Sequence, residues 1–348
     1  MKKHLYLLLI FVIPFASCKK HKAKKKAKWI TEAYQVLASE KYPQIKAVNW
    51  WNENWRNGFL NHTRLRIDSS PQALEAYQKA VAPSFFITTP VIDSNKLLPP
   101  STGMYHCAFP DFGGDEDKVT TDAITEFVDL AKKNIVWAAF SDNWMNNIHF
   151  PIDHVNTIAA QGIIPYIRFM PKTTFEENKV DPVYTLQKII DGEYDADLNQ
   201  WFVDAKNTNI PLLCEFGTEV NGSWFPWNGK YHGGGETTGY GDPNKADGPE
   251  RFVDAFRHII DLSRDNGATN ITWFFHLDDN GEPNDDWNKF ENYYPGDTYV
   301  DWIGVSAYGQ INKKDEYGSL EEKLDAIYSK MTALTDKPIA ILETGMIE

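Results

Sequence analysis

Short apolar runs alternate along most of the chain with stretches whose apolar positions return every three or four residues, a beat that predicts strands and helices in turn. Strands are predicted at 104–109, 135–140, 163–169, 210–216, 271–276, 302–307 and 338–342. Helices are predicted at 121–132, 152–161, 197–206, 249–265 and 320–334, the last opened by the capping-box pattern Ser319-Leu-Glu-Glu322. Such regular alternation favours a parallel α/β sheet or barrel over a sandwich.

Seven strands leave an eight-stranded barrel one short. The front of the chain holds a matching unit: helical periodicity over 29–41, a strand-like Ile45-Lys-Ala-Val-Asn-Trp-Trp51, and a helix opening on Ser70 with Pro71 at its first position. The expected fold is therefore an α/β, (β/α)8 TIM barrel whose eighth strand and flanking helices are supplied by the N-terminal segment. Such a circular permutation is tolerated when chain ends lie close together at a surface.

With 348 residues, 42% of them apolar and 14% aromatic, the chain supplies one large core, and residues 29–348 read as a single catalytic domain. A net charge of −13 argues against nucleic acid as a partner. The one basic run is at the start, where Met1-Lys-Lys-His4 precedes an apolar stretch over 5–14 and then Phe15-Ala-Ser-Cys18. Residues 1–17 are expected to be a signal peptide, with an apolar part too short to span a bilayer well. Small residues ahead of Cys18 resemble the lipobox of bacterial lipoproteins, which makes Cys18 the lipidated residue; an ordinary secretory signal is the alternative. Residues 18–28, with seven lysines from Lys19 to Lys28 and no apolar periodicity, are expected to form a solvated tether. The expected location is the bacterial cell envelope, lipid-anchored at the outer membrane, as a monomer touching the membrane only through that anchor. Cys107 and Cys214 lie in apolar strands and are expected to be buried free thiols. No zinc-type Cys or His spacing is present, and neither metal nor cofactor is expected.

The richest chemistry lies in Glu215-Phe-Gly-Thr-Glu219-Val-Asn221-Gly-Ser-Trp224-Phe-Pro-Trp227, where a carboxylate, a turn-forming Asn-Gly and two tryptophans stand together. Carboxylic acids protonate glycosidic oxygens, and indole faces stack on sugar rings. A second carboxylate, Glu343, closes the apolar run Pro338-Ile-Ala-Ile-Leu-Glu343-Thr-Gly345. Two carboxylates at strand ends are the minimum for glycoside hydrolysis. Trp51, Trp224 and Trp227 are candidate sugar platforms or packing residues. Trp144, Arg168 and His276 sit where they reach the cleft or satisfy a barrel rim, and Asn221 is a further substrate-binding candidate. The acidic loop from Asp278 to Asp286 lacks the full ligand spacing of a calcium loop and reads as solvated.

Three segments, Thr218 to Trp227, Tyr293 to Val305 continuing through Tyr308, and Ile341-Leu-Glu-Thr-Gly345, resemble glycoside hydrolase family 26 in order and in strand position. The front residues Lys41 to Trp51 and Ile67-Asp-Ser-Ser-Pro71 resemble what normally follows the family's nucleophile, which is the basis for a permuted barrel. The resemblance implies a retaining β-glycosidase with Glu219 as acid/base, Glu343 as nucleophile and Tyr308 hydrogen-bonded to the nucleophile. It implies a β-linked polysaccharide or oligosaccharide as partner, β-1,4-mannan or glucomannan first. Many family mannanases carry histidine just before the acid/base and arginine three residues earlier. Here those places hold Thr218 and Glu215, so the adjoining subsite is expected to differ, and mixed-linkage β-glucan and β-1,3-xylan stay open. Two other outcomes also stay open: a non-catalytic glycan-binding lipoprotein that keeps the aromatic platforms, and a truncated, poorly folding product.

Overall fold

In the computed structural model, described at residues 16–55, 63–145, 147–312 and 317–348 but without the side chains of 16–22, eight parallel strands close into a barrel. They are β1 (Ile45–Trp51), β2 (Met104–Phe109), β3 (Trp137–Asn143), β4 (Ile164–Met170), β5 (Leu212–Phe216), β6 (Ile271–Asp278), β7 (Trp302–Ser306) and β8 (Ile339–Thr344). The seam is closed by β1, as the front segment predicts: Ala47 stands opposite Ala340 of β8 on one side and Tyr105 of β2 on the other.

Helices α1 (Ala16–Ala38), α2 (Pro71–Val81), α3 (Thr121–Ala131), α4 (Ile152–Ala159), α5 (Asp195–Asn207), α6 (Asp247–Asp265) and α7 (Leu320–Leu334) cover the outside. Between β6 and β7 the described residues form only the 3-10 turns Asp286–Asn288 and Phe290–Tyr293. The cap signals act as read: the Ser70 hydroxyl accepts from the Ala73 N–H at 3.3 Å, and Ser319 and Glu322 complete a reciprocal capping box. The antiparallel ribbon Val91–Asp93 with Lys96–Leu98, which periodicity does not signal, is tied to the barrel floor. There the Leu97 N–H donates to Thr272 Oγ1, and Trp302 Nε1 donates to the Leu97 carbonyl.

The expected tether is corrected here. Helix α1 packs between α2 and α7. Ala23, Trp29, Ile30, Ala33 and Leu37 are buried along it. Lys26 is buried too, and its ammonium donates to the carbonyls of Arg64, Leu65 and Arg66 and to the Ser69 hydroxyl, at 2.7 to 3.1 Å. Burial lowers its pKa to about 7. Charge counting misses this, because a lysine saturated by oxygens is stable where an unpaired one is not. Lys26→Met is expected to strip those carbonyls of their donor and cost about 1–3 kcal/mol, read as a fall in the urea midpoint. Residues 1–15, most of the expected signal peptide, and the side chain of Cys18 lie outside the described residues. Among the described residues no helix is long and apolar enough to cross a membrane.

The barrel interior is plugged by aromatic rings from neighbouring strands. Trp137, Tyr166, Phe274 and Trp302 pack with centroids 5.0 to 6.1 Å apart. Side chains two residues further along a strand point the same way, so Arg168 stands above Tyr166 and His276 above Phe274. A polar layer thus forms at the C-terminal strand ends, where barrels of this kind place their chemistry. Cys107 and Cys214 are buried free thiols, as expected, and burial holds both pKa values well above the usual range.

Candidate active site

Glu219 leaves the end of β5 in a turn held open by backbone geometry. Its own φ is +47° and that of Gly217 is +66°, where an added Cβ would come within 2.8 Å of the Phe252 ring. A non-glycine residue in the left-handed region carries strain that its surroundings must hold. Gly222 is required for a different reason: a Cβ there would lie 2.3 Å from the Trp224 indole. That close approach lets Trp224 Nε1 donate to Glu219 Oε2 at 2.7 Å. Glu343 stands near the end of β8, with Tyr308 Oη donating to its Oε2 and Arg168 Nη2 to its Oε1, both at 2.8 Å. Both carboxylates line one cleft of about 470 Å³, with Trp55, Trp224, Phe225 and Tyr308 among its walls.

Burial, and then the negative charge of Glu343, raise the Glu219 carboxyl to about 7. Burial also raises Glu343 to about 7, against the pull of the Arg168 guanidinium and the Tyr308 hydroxyl. Hydrogen bonding distinguishes the two carboxyl groups. Glu343 receives a guanidinium and a phenol, one on each oxygen, whereas Glu219 has an indole on one oxygen and a like charge nearby. The guanidinium and phenol on its two oxygens favour the charged form of Glu343, while the charge of Glu343 favours the neutral form of Glu219.

Arg168 organises the floor. Beyond Glu343, it donates to Glu116 at 2.5 Å, Glu215 at 3.1 Å, and Ser141 and Thr218 at 3.3 Å, and its guanidinium carbon lies 4.7 Å from the centre of the Trp51 ring. Glu215 also accepts from Tyr166 Oη at 2.8 Å and pairs with His276 Nδ1 at 2.7 Å. Burial alone would raise Glu215, but His276, Arg168 and Tyr166 together hold it at about 2. The expected loss of positive and imidazole character around Thr218 and Glu215 is thus made good in space. Arg168 arrives from β4, and His276 arrives from β6 with Nδ1 2.7 Å from Thr218 Oγ1.

Several expected sugar contacts turn out to be committed to protein. Trp227 is fully buried, bonded to the Thr218 carbonyl and stacked behind Phe225 at 4.5 Å, so Phe225 is the ring that meets the cleft. Trp51 is buried against Phe109 at 4.2 Å, and Trp144 is buried against Phe169 and Tyr184. The Asn221 amide is spent at both ends on the backbone of Asp278, and His276 lies beneath the cleft on Glu215, Thr218 and Ser306. Arg168, Trp224 and Tyr308 do line the cleft.

The acidic loop is also not free. Its Glu282 backbone pairs with Asn221 and Ser223 on the Glu219 turn, Asp279 pairs with Lys323, and Asp278 lines the cleft. Sequence reasoning missed Trp55, Glu116, Lys172 and Phe175 as cleft residues. Trp55 carried a usable signal in its spacing from Trp50 and Trp51; Glu116, on a loop with φ +61°, carried none.

Comparison with known proteins gives a family. The family description Glycosyl hydrolase family 26 matches residues 172–343. Endoglucanase H of Acetivibrio thermocellus is 28% identical over 229 residues, 65% of this chain and 23% of that protein. A mannan endo-1,4-beta-mannosidase of Bacillus subtilis is 26% identical over 205 residues, 57% of this chain and 45% of that protein. The chain therefore spans less than half the length of these relatives. Among solved structures, a Bacillus subtilis mannanase aligns at TM-score 0.43 and 16% identity, covering 93% of this chain and 77% of that one. A beta-mannanase from Bacteroides ovatus aligns at TM-score 0.45 and 14% identity, covering 92% and 76%.

Proposed function

The chain belongs to glycosyl hydrolase family 26, and from that membership we propose a retaining endo-acting glycoside hydrolase that cleaves β-1,4-mannan or glucomannan by double displacement. One observation carries the reading: Glu219, raised by burial and by the nearby charge of Glu343, and Glu343, paired with Arg168 and Tyr308, face the same aromatic-walled cleft. In the first step a Glu343 oxygen bonds to the anomeric carbon while the Glu219 proton passes to the departing glycosidic oxygen. In the second, Glu219 takes a proton from water, the hydroxyl bonds to the anomeric carbon and Glu343 leaves. Retention requires the carboxyl groups about 5 to 5.5 Å apart.

The test is product release by the domain on galactomannan, glucomannan, barley β-glucan and β-1,3-xylan. Barley β-glucan is included because a 28% identical relative is named an endoglucanase. Folded protein that binds a glycan and cleaves none would replace this reading with the non-catalytic one. The pH profile is a second check. Glu343 must be ionised and Glu219 protonated, so kcat/KM is expected to be bell-shaped with limbs on either side of about 7, belonging to the pair as a unit. On an aryl glycoside whose leaving group needs no proton, Glu219→Ala is expected to lose the alkaline limb; a retained limb would reverse the assignment.

Two parts of the reading concern the front of the chain. The barrel is a permuted version of the family's, supported by α1 and β1 standing directly after the Glu343 strand. The protein is lipid-anchored through Cys18 at the cell envelope, supported by the Phe15-Ala-Ser-Cys18 sequence. Detergent-phase partition of the full chain that persists in Cys18→Ala would overturn the anchor.

A further inference from the structure

The loop after β4 forms the cleft wall facing the Glu219 turn and is held at both ends. The Asp181 carboxylate accepts from the Thr173 N–H and hydroxyl and from the N–H groups of Val183 and Tyr184, at 2.5 to 2.9 Å. Midway, the Asn178 N–H donates to the Trp224 carbonyl at 3.1 Å. On this wall the Lys172 ammonium lies 4.9 Å from the centre of the Phe175 ring and 5.8 Å from that of Phe225. All three residues line the cleft, and Phe175 is 43% exposed.

Lys172 Nζ donates to no acceptor among the described residues, although Glu116, Glu177 and Asp115 lie near enough to favour its charge. Burial opposes that charge and lowers the pKa to about 8. Lys26 shows what a structural buried lysine looks like in this protein, with four oxygens on its nitrogen. Arg168, the other cation on the cleft wall, is already shared among five partners. Lys172 is therefore the cleft's uncommitted donor among the described residues, and two aromatic rings flank it.

We propose that Lys172, Phe175 and Phe225 form a sugar subsite beside the catalytic pair that takes a neutral pyranose, the rings covering its apolar face and the ammonium donating to hydroxyls at its edge. The inference rests on the glycan-hydrolase reading above. Neutrality follows from the surroundings: Glu176, Glu177, Glu282 and Asp278 line the same cleft, and a sugar carboxylate would be repelled by them. The subsite sets specificity by binding, because Lys172 contacts neither Glu219 nor Glu343.

The test compares Lys172→Met and Lys172→Arg with the unaltered enzyme on mannohexaose, cellohexaose and a short aryl glycoside, with thermal melting alongside. Loss of donors to a charged group predicts a fall in kcat/KM of about 10–100-fold on the hexasaccharide that is cleaved. The fall should appear in KM, be at least about tenfold smaller on the aryl glycoside, and be partly restored by arginine. An equal loss on both substrates with a lowered melting temperature would mean a structural lysine and overturn the subsite, as would no loss at all. Tighter binding of a uronate-bearing oligosaccharide than of its neutral counterpart would overturn neutrality. Should no glycan be cleaved, calorimetric binding of the same hexasaccharides separates the two readings. Lys172-dependent binding without turnover sinks the catalytic reading and keeps the subsite; Lys172-independent binding, or none, sinks the subsite as well.

Discussion

Glu343→Ala is expected to abolish turnover and Glu219→Ala to lower kcat by roughly 10²–10⁴-fold, the range for removing a positioned general acid. The two losses should differ in kind as well as size. Without Glu343 there is no group to bond to the anomeric carbon, so good and poor leaving groups suffer alike. Without Glu219 the proton is missing but the nucleophile remains, so a substrate with an acidic leaving group should still form the glycosyl-enzyme. Azide should then release it as a β-glycosyl azide of retained configuration. The expectation starts from the Trp224 indole on Glu219 and the Arg168–Tyr308 pair on Glu343. Product analysis by NMR in the presence of azide is the measurement. An azide product from Glu343→Ala and none from Glu219→Ala with the anomeric configuration retained would exchange the two roles.

Arg168→Met should have the largest effect on stability. Arg168 is nearly inaccessible and holds Glu116, Glu215 and Glu343 together, with side-chain exposures of 18%, 1% and 6%. Removing one partner of a buried ion pair leaves an uncompensated charge at a cost of about 3–5 kcal/mol. Three carboxylates share this cation, so the loss should fall at the upper end, read from urea unfolding at pH 7. Acidification should recover part of it. Without the guanidinium the folded-state pKa of Glu343 rises further above its unfolded value, so stability is regained as pH falls through that pKa. The acid limb of the activity profile should move to higher pH for the same reason. Arg168→Lys keeps the charge but loses the fork that reaches five partners, and should fall between the two. An Arg168→Met variant as stable as the parent would show that these pairs merely break even with a hydrophobic replacement.

Some of the site was legible in the chain. Glu219, Trp224 and Phe225 fall within thirteen consecutive residues whose turn chemistry is local, and Glu343 ends a strand that its apolar run announces. The missing strand could be found as well, because Ile45 to Trp51 keeps the apolar content of a buried strand and Ser70-Pro71 opens a helix by local rules. The lysine-rich start misled for a corresponding reason. Its periodicity is concealed by Lys26, whose carbonyl partners lie some forty residues away in sequence, in the Arg64–Arg66 turn.

The sequence by itself determined the eight barrel strands and most of the helices between them, the two carboxylates at or near strand ends and the caps that start α2 and α7. Each of these follows from a period, a turn or a cap within a few neighbouring residues. Only the tertiary structure decided which aromatic rings line the cleft and which are packed in the core, that Arg168 and His276 reach Thr218 and Glu215 from other strands, and that Lys26 is saturated by oxygens while Lys172 lies on the cleft wall. Those outcomes depend on which strands stand side by side and how deeply each side chain is buried. Closure of the barrel sets both, and no single stretch of the chain contains them.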